Sequence, residues 1–134
     1  MTAQQIENKI VREWFLSAQD DEWLIENTIK EDKDWPPNPI CFLSQQLAEK
    51  SLKGFLAFSK QEAPKAHQLE ELIKLCAKVD LEFMAFEEDA EYLTGFYIIS
   101  RYPGEYQIFS QDEAREAFKK AIRIKDFVLK KMSL

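Results

Sequence analysis

Apolar residues recur along this chain at spacings of three and four, the period of helices that each bury one face. Between Gln5 and Lys30, Ile6, Ile10, Trp14, Ala18, Ile25 and Ile29 fall on one stripe, widened by Val11, Phe15 and Leu24, and predict a long amphipathic helix. The charged run from Glu31 to Asp34 and the pair Pro36-Pro37 end it. Asn38-Pro39 restarts the chain, with Asn38 as the expected N-cap and Pro39 at the first helical position, where its missing N–H costs nothing. In the second helix, about 39–60, Phe42, Leu43, Leu47, Ala48, Leu52, Phe55, Leu56 and Phe58 cover more than half the circumference, so this helix is expected at the centre.

A third helix is predicted from near Ala66 and carries Leu69, Leu72, Ile73, Cys76 and Ala77. A fourth, over roughly 81–100, places Phe83, Phe86, Ala90, Leu93 and Tyr97 on one stripe. The stretch from Arg101 to Tyr106 is a turn by chemistry, with Pro103-Gly104 suited to the centre of a type II turn. Ser110 and Glu113 spell a capping box, and a fifth helix follows to about Met132 with Ala114, Ala117, Phe118, Ala121, Ile122, Ile124 and Val128 inward. The expected fold is all-α: an up-and-down bundle of about five helices in one domain over 1–134.

Composition narrows the function. The 134 residues suit one domain, 46% hydrophobic content supplies a core, and 3 Gly with 5 Pro disfavour a many-turned sandwich or barrel. No apolar run approaches the ~18 residues that span a bilayer, and no leader opens the chain, so no membrane association is expected. Cys41 and Cys76 are too few for a disulfide scaffold and lack a zinc spacing. They are expected as small buried thiols in a reducing cytoplasm, although Cys41 also lies near a helix N-terminus that would favour a thiolate. No cofactor or metal is expected. The net charge of −6 argues against electrostatic coating of nucleic acid.

That charge is segregated: four basic against nine acidic residues over 1–39, six against five over 40–80, one against six over 81–109, and seven against four over 110–134. The acidic first helix and basic last helix could pair within the bundle or across a dimer. Arg115, Lys119 and Arg123, at i, i+4, i+8, form a strip that is either a solvated face or a contact for nucleic acid or an acidic partner.

Two places carry candidate chemistry. Gln45, Gln46, Glu49, Lys50 and Lys53 interrupt the apolar second helix, and Gln46, Lys50 and Lys53 share a narrow arc. They either edge a groove that holds a phosphate or a carboxylate, or form a solvated face with Glu49 and Lys53 as an ordinary i, i+4 pair. Arg101, with Tyr102 and Tyr106 nearby, either completes a helix C-terminus or contacts phosphate beside stacking rings, while Tyr97, Tyr102 and Tyr106 also suit a core rim. The only histidine, His67, is expected as a cap or backbone contact at the start of the third helix.

Taken in order, Trp14-Phe-Leu-Ser-Ala18-Gln-Asp20, Cys41-Phe-Leu-Ser-Gln-Gln-Leu-Ala-Glu-Lys-Ser-Leu-Lys53, His67-Gln-Leu69 and Arg101-Tyr-Pro103 resemble HEPN domains over about residues 10 to 130. The resemblance implies a helical bundle that dimerises, is commonly paired with a minimal nucleotidyltransferase as half of a toxin–antitoxin system, and in other members binds nucleotide. It also implies, for many members, metal-independent RNA cleavage by an Arg-x(4 to 6)-His motif. Arg101 matches the arginine of that motif, but Tyr106, Gln107 and Ile108 stand where the histidine would be. No imidazole follows Arg101, so the acid/base step lacks an agent. The implied function is a non-catalytic dimeric module that uses Gln46, Lys50, Lys53, Arg101 and Tyr102 to bind nucleotide, RNA or a transferase partner. The alternative is a ribonuclease in which Arg101 and Tyr106 replace the usual pair.

Overall fold

Asn8 starts the first helix. Its side-chain oxygen accepts from the N–H groups of Ile10 and Val11 at 3.0 and 3.1 Å, occupying two donors that the first turn leaves unpaired. Helix α1 therefore runs Lys9–Lys30, four residues shorter than the stripe suggested, and a 3-10 turn, Ala3–Gln5, precedes it. The computed structural model describes residues 2–31, 33–99, 103–104 and 106–133. Among these the elements are α1, α2 (Pro37–Phe58), α3 (Leu69–Ala77), a 3-10 segment (Leu81–Phe86), α4 (Glu87–Ile99) and α5 (Gln111–Met132), with no strand. The expected single helix over 81–100 is thus two pieces.

The inward row of α1 is Val11, Phe15, Ala18, Asp21 and Ile25. Ile10, at 64% exposure, and Leu24 lie outside it. The apolar arc of α1 is wider than its contact with the bundle, so the arc's edges stay in water.

Helix α2 is central: it packs most extensively on α1 and α5 and also meets α3 and α4. It begins at Pro37, before Asn38, because Pro37 and Pro39 both fall in the first turn, where no helical N–H partner is needed. Asn38 is therefore not the cap. Its amide donates to the Gln107 carbonyl and its oxygen accepts from the Phe109 N–H at 2.9 Å, clamping the segment that follows α4 onto the start of α2. Gly104 takes φ +90°, as the turn reading required. The Ser110–Glu113 capping box forms in both directions, at 3.0 and 3.1 Å, and α5 turns Ala114, Ala117, Ala121, Ile124 and Val128 inward.

Charge segregation resolves within the bundle. Lys125 of α5 meets Glu22 of α1 at 2.6 Å, Arg123 and Lys120 hold buried Asp89 of α4, and Lys131 reaches Asp80 and Glu82. The Lys131 hydrogen bond holds the Asp80 carboxyl below its usual range. Arg115 lies over the Trp35 ring at 5.2 Å, so only Lys119 of the expected basic strip lacks a role in these contacts. Cys41 and Cys76 are buried free thiols, and burial pushes both up to about 12. No helix among the described residues is long and apolar enough to cross a membrane.

Two backbone positions generate opposite expectations. A Cβ on Gly54 would stand 2.5 Å from the Phe15 ring, so this glycine lets α1 and α2 approach. The helix-propensity gain of Gly54→Ala, up to about 1 kcal/mol, is expected to be outweighed by overpacking of about 1–3 kcal/mol, lowering the urea midpoint. At the other end, Lys60 N–H bonds Ala57 O at 3.0 Å and Gln61 N–H bonds Leu56 O at 2.8 Å, a Schellman stop with Lys60 at φ +58°. Lys60→Gly relieves that left-handed strain and is expected to raise unfolding stability by about 1 kcal/mol.

Candidate functional site

The five polar residues inside α2 divide between two surroundings. A helix whose apolar residues span more than half its circumference cannot turn every polar residue to water, and Gln45, Glu49 and Lys53, one turn apart each, are buried. Glu49, 5% exposed, accepts from Lys53 Nζ at 3.2 Å and from Gln45 Nε2 at 3.1 Å. Gln45 Nε2 also donates to the His67 carbonyl at 3.1 Å, and its oxygen accepts from Gln46 Nε2 at 2.7 Å. The Glu49–Lys53 pair is thus an interior ion pair with its lone pairs used by neighbours, and the solvated-face reading of it is overturned.

His67 joins this knot from the α2–α3 connection. Helix α3 begins only at Leu69, whose N–H, unpaired within the helix, donates to Thr94 Oγ1 at 2.9 Å, and Gln68 occupies the cap position. His67 is therefore no cap. Its Nδ1 lies 3.1 Å from Glu49 Oε1, and its ring stacks on Tyr97 of α4 at 4.2 Å between centroids and 15° between planes. Phe42 of α2 lies 6.1 Å from Tyr97 on a similar plane.

His67, Tyr97 and Phe42 line an open cleft of about 510 Å³, together with Asn38, Pro39 and Gln46 of α2 and with Tyr106. Tyr106 is 60% exposed and reaches the cleft because the Asn38 clamp holds the residues just beyond it.

Of the residues singled out from sequence, Gln46 and Tyr106 meet in this cleft. Lys50 and Lys53 do not line it. They stand further along α2, where α1 packs, and each has a carboxylate: Lys50 Nζ meets Asp21 Oδ2 at 2.7 Å, and Lys53 holds Glu49 while lying over the Trp14 ring at 5.7 Å. Arg101 and Tyr102 lie outside the described residues. Sequence reasoning missed Phe42, counted only as a bundle residue, left Tyr97 open between a core rim and a stacking ring, and placed His67 at a helix end. The available signal was Glu49, a carboxylate on the helix expected at the centre of the bundle, which needs more than one partner to be buried.

The two lysine pairs differ in environment. Burial raises the Asp21 carboxyl above its usual value, opposed by the Lys50 hydrogen bond and charge. The geometry as a whole offers flat rings, an amide and an imidazole around one opening, a set suited to a planar polar ligand.

The comparisons with known proteins agree with this architecture. A sequence model of the HEPN domain matches residues 11–132, and the chain belongs to the HEPN family. It is similar to the crystal structure of ST0689, an archaeal HEPN homologue, at 27% identity and a TM-score of 0.71, covering 91% of this chain and 97% of that one. It is also similar to the crystal structure of TT1696 from Thermus thermophilus, at 26% identity and a TM-score of 0.72, over 90% and 97% of the two chains. No curated protein matches.

Removing one cation tests the difference between the pairs. Lys53→Met strands a buried carboxylate and is expected to cost about 3 kcal/mol. Lys50→Met, at a pair more open to solvent than Lys53–Glu49, with side chains 20% and 10% exposed against 6% and 6%, is expected to cost less, about 1 kcal/mol. Urea unfolding at pH 7 measures both, and equal losses would contradict this partition.

Proposed function

We propose that the protein is a non-catalytic HEPN-type module that acts as a homodimer and holds a nucleotide or an RNA segment in the Phe42–Gln46–His67–Tyr97–Tyr106 cleft, with a minimal nucleotidyltransferase as partner in a toxin–antitoxin pair. The observation that carries the reading is the grouping of aromatic faces and an amide around one opening of about 510 Å³. A nucleobase presents a π-face and hydrogen-bonding edges that match those groups. Since Lys50 and Lys53 are engaged with carboxylates, base and ribose contacts supply most of the affinity. Arg101, placed in sequence between the cleft residues Tyr97 and Tyr106, is the proposed phosphate contact, with Tyr102 beside it. Ile10 and Leu24, exposed on the outer side of α1, offer apolar surface for a second copy.

One observation favours a second reading, a metal-independent HEPN ribonuclease. His67 lines the same cleft as Tyr106 and brings there an imidazole that the residues after Arg101 do not contain. The discriminating experiment combines calorimetry with ATP, GTP and a short RNA and incubation of the purified chain with total RNA. The expected outcome is binding heat with no cleavage. Cleavage lost in Arg101→Ala and in His67→Ala would establish the nuclease instead. Absence of heat with all three ligands would overturn nucleotide and RNA binding.

A further inference from the structure

Glu49 dictates where the cleft imidazole keeps its hydrogen. One of its oxygens accepts from the Lys53 ammonium at 3.2 Å, and the other accepts from the Gln45 amide at 3.1 Å while meeting His67 Nδ1 at 3.1 Å. A carboxylate so loaded with donors is ionised and offers only lone pairs, so the contact to Nδ1 requires the hydrogen to sit on Nδ1. In a neutral ring, that tautomer leaves a bare lone pair on Nε2. The two ring nitrogens point well apart, so an Nδ1 aimed at buried Glu49 turns Nε2 away from it, on a half-exposed side chain that lines the cleft. The parallel Tyr97 ring at 4.2 Å holds the plane of the imidazole. Gln46 extends the pattern: its Nε2 donates to Gln45 at 2.7 Å, which leaves its carbonyl oxygen as a second acceptor at the cleft edge.

We propose that the Glu49–His67 pair is the specificity element of the cleft, presenting Nε2 as a hydrogen-bond acceptor that selects ligands carrying an O–H or N–H donor beside a flat ring, as a ribose hydroxyl or an exocyclic base amine does. The inference rests on the nucleotide-binding reading above and assigns it a polarity: a donor edge of the ligand faces His67, and an unprotonated phosphate, which has only acceptors, faces elsewhere. His67 positions and discriminates, and Glu49 acts through it.

Calorimetry on the full chain at pH 8 tests this with AMP, 2′-deoxyAMP, 3′-deoxyAMP and purine riboside monophosphate, which lacks the amine. Loss of the selected donor is expected to weaken binding about tenfold, the effect of leaving a recognition group unpaired. The analogue that loses affinity tells hydroxyl from amine. In His67→Ala, where buried Glu49 loses one of its donors and circular dichroism checks that the fold is kept, AMP is expected to bind no better than that analogue. Equal binding of all four ligands by the unaltered protein overturns the inference while nucleotide binding stands. No heat with any of them overturns the nucleotide reading and the inference together. Because His67 is the only histidine, long-range ¹⁵N–¹H correlation spectra read its tautomer directly. Hydrogen on Nδ1 with a bare Nε2 is expected at pH 8, where free imidazole is neutral, and hydrogen on Nε2 instead would overturn the proposal.

Discussion

A single interior carboxylate organises the cleft side of this bundle. Glu49 sits on the most buried helix, and a lone charge there would cost more than a small domain has to spare. Its three donors therefore have to be in place, and each comes from a different requirement: Lys53 neutralises the charge, Gln45 ties the carboxylate to the backbone of the α2–α3 connection, and His67 closes the set from that connection. Satisfying the charge fixes the route of the chain between α2 and α3. It also fixes the orientation of the imidazole that faces the cleft.

The remaining charges follow a similar economy. The acidic surplus of the first helix and of 80–89 is met by the basic last helix, through Lys125, Arg123, Lys120 and Lys131. The cation-rich end of the sequence is largely spent inside one chain. Among the described residues, the cleft is lined by aromatic, amide and imidazole groups rather than by lysine or arginine.

The helices were legible because their signals are local: the period of three and four, the Ser110 capping box and the proline punctuation all act within a turn or two. Where a reading failed, a contact distant in sequence decided. Asn38 looked like a cap and is a clamp because Gln107 and Phe109 come back to it. His67 looked like a helix end and is a cleft residue because Glu49 lies eighteen positions earlier. Lys50 and Lys53 shared an arc with Gln46, yet helix α1 lies over them and supplies Asp21 and Trp14, which the pattern of α2 alone does not contain. Part of the cleft was therefore visible: Gln46 and Tyr106 were named from residue type and position and Tyr97 was raised as a candidate stacking ring, whereas Phe42 and the place of His67 were not foreseen.

The Asn38 clamp has a consequence for how the protein comes into being. Its partners lie 69 and 71 positions downstream, so the wall that carries Tyr106 closes only when the chain returns to the start of α2. On a ribosome, α1 to α3 emerge well before that return. Helix α5, which covers much of the central helix, follows Phe109 in sequence, so burial of α2 and closure of the cleft wall are both completed only with the last helix.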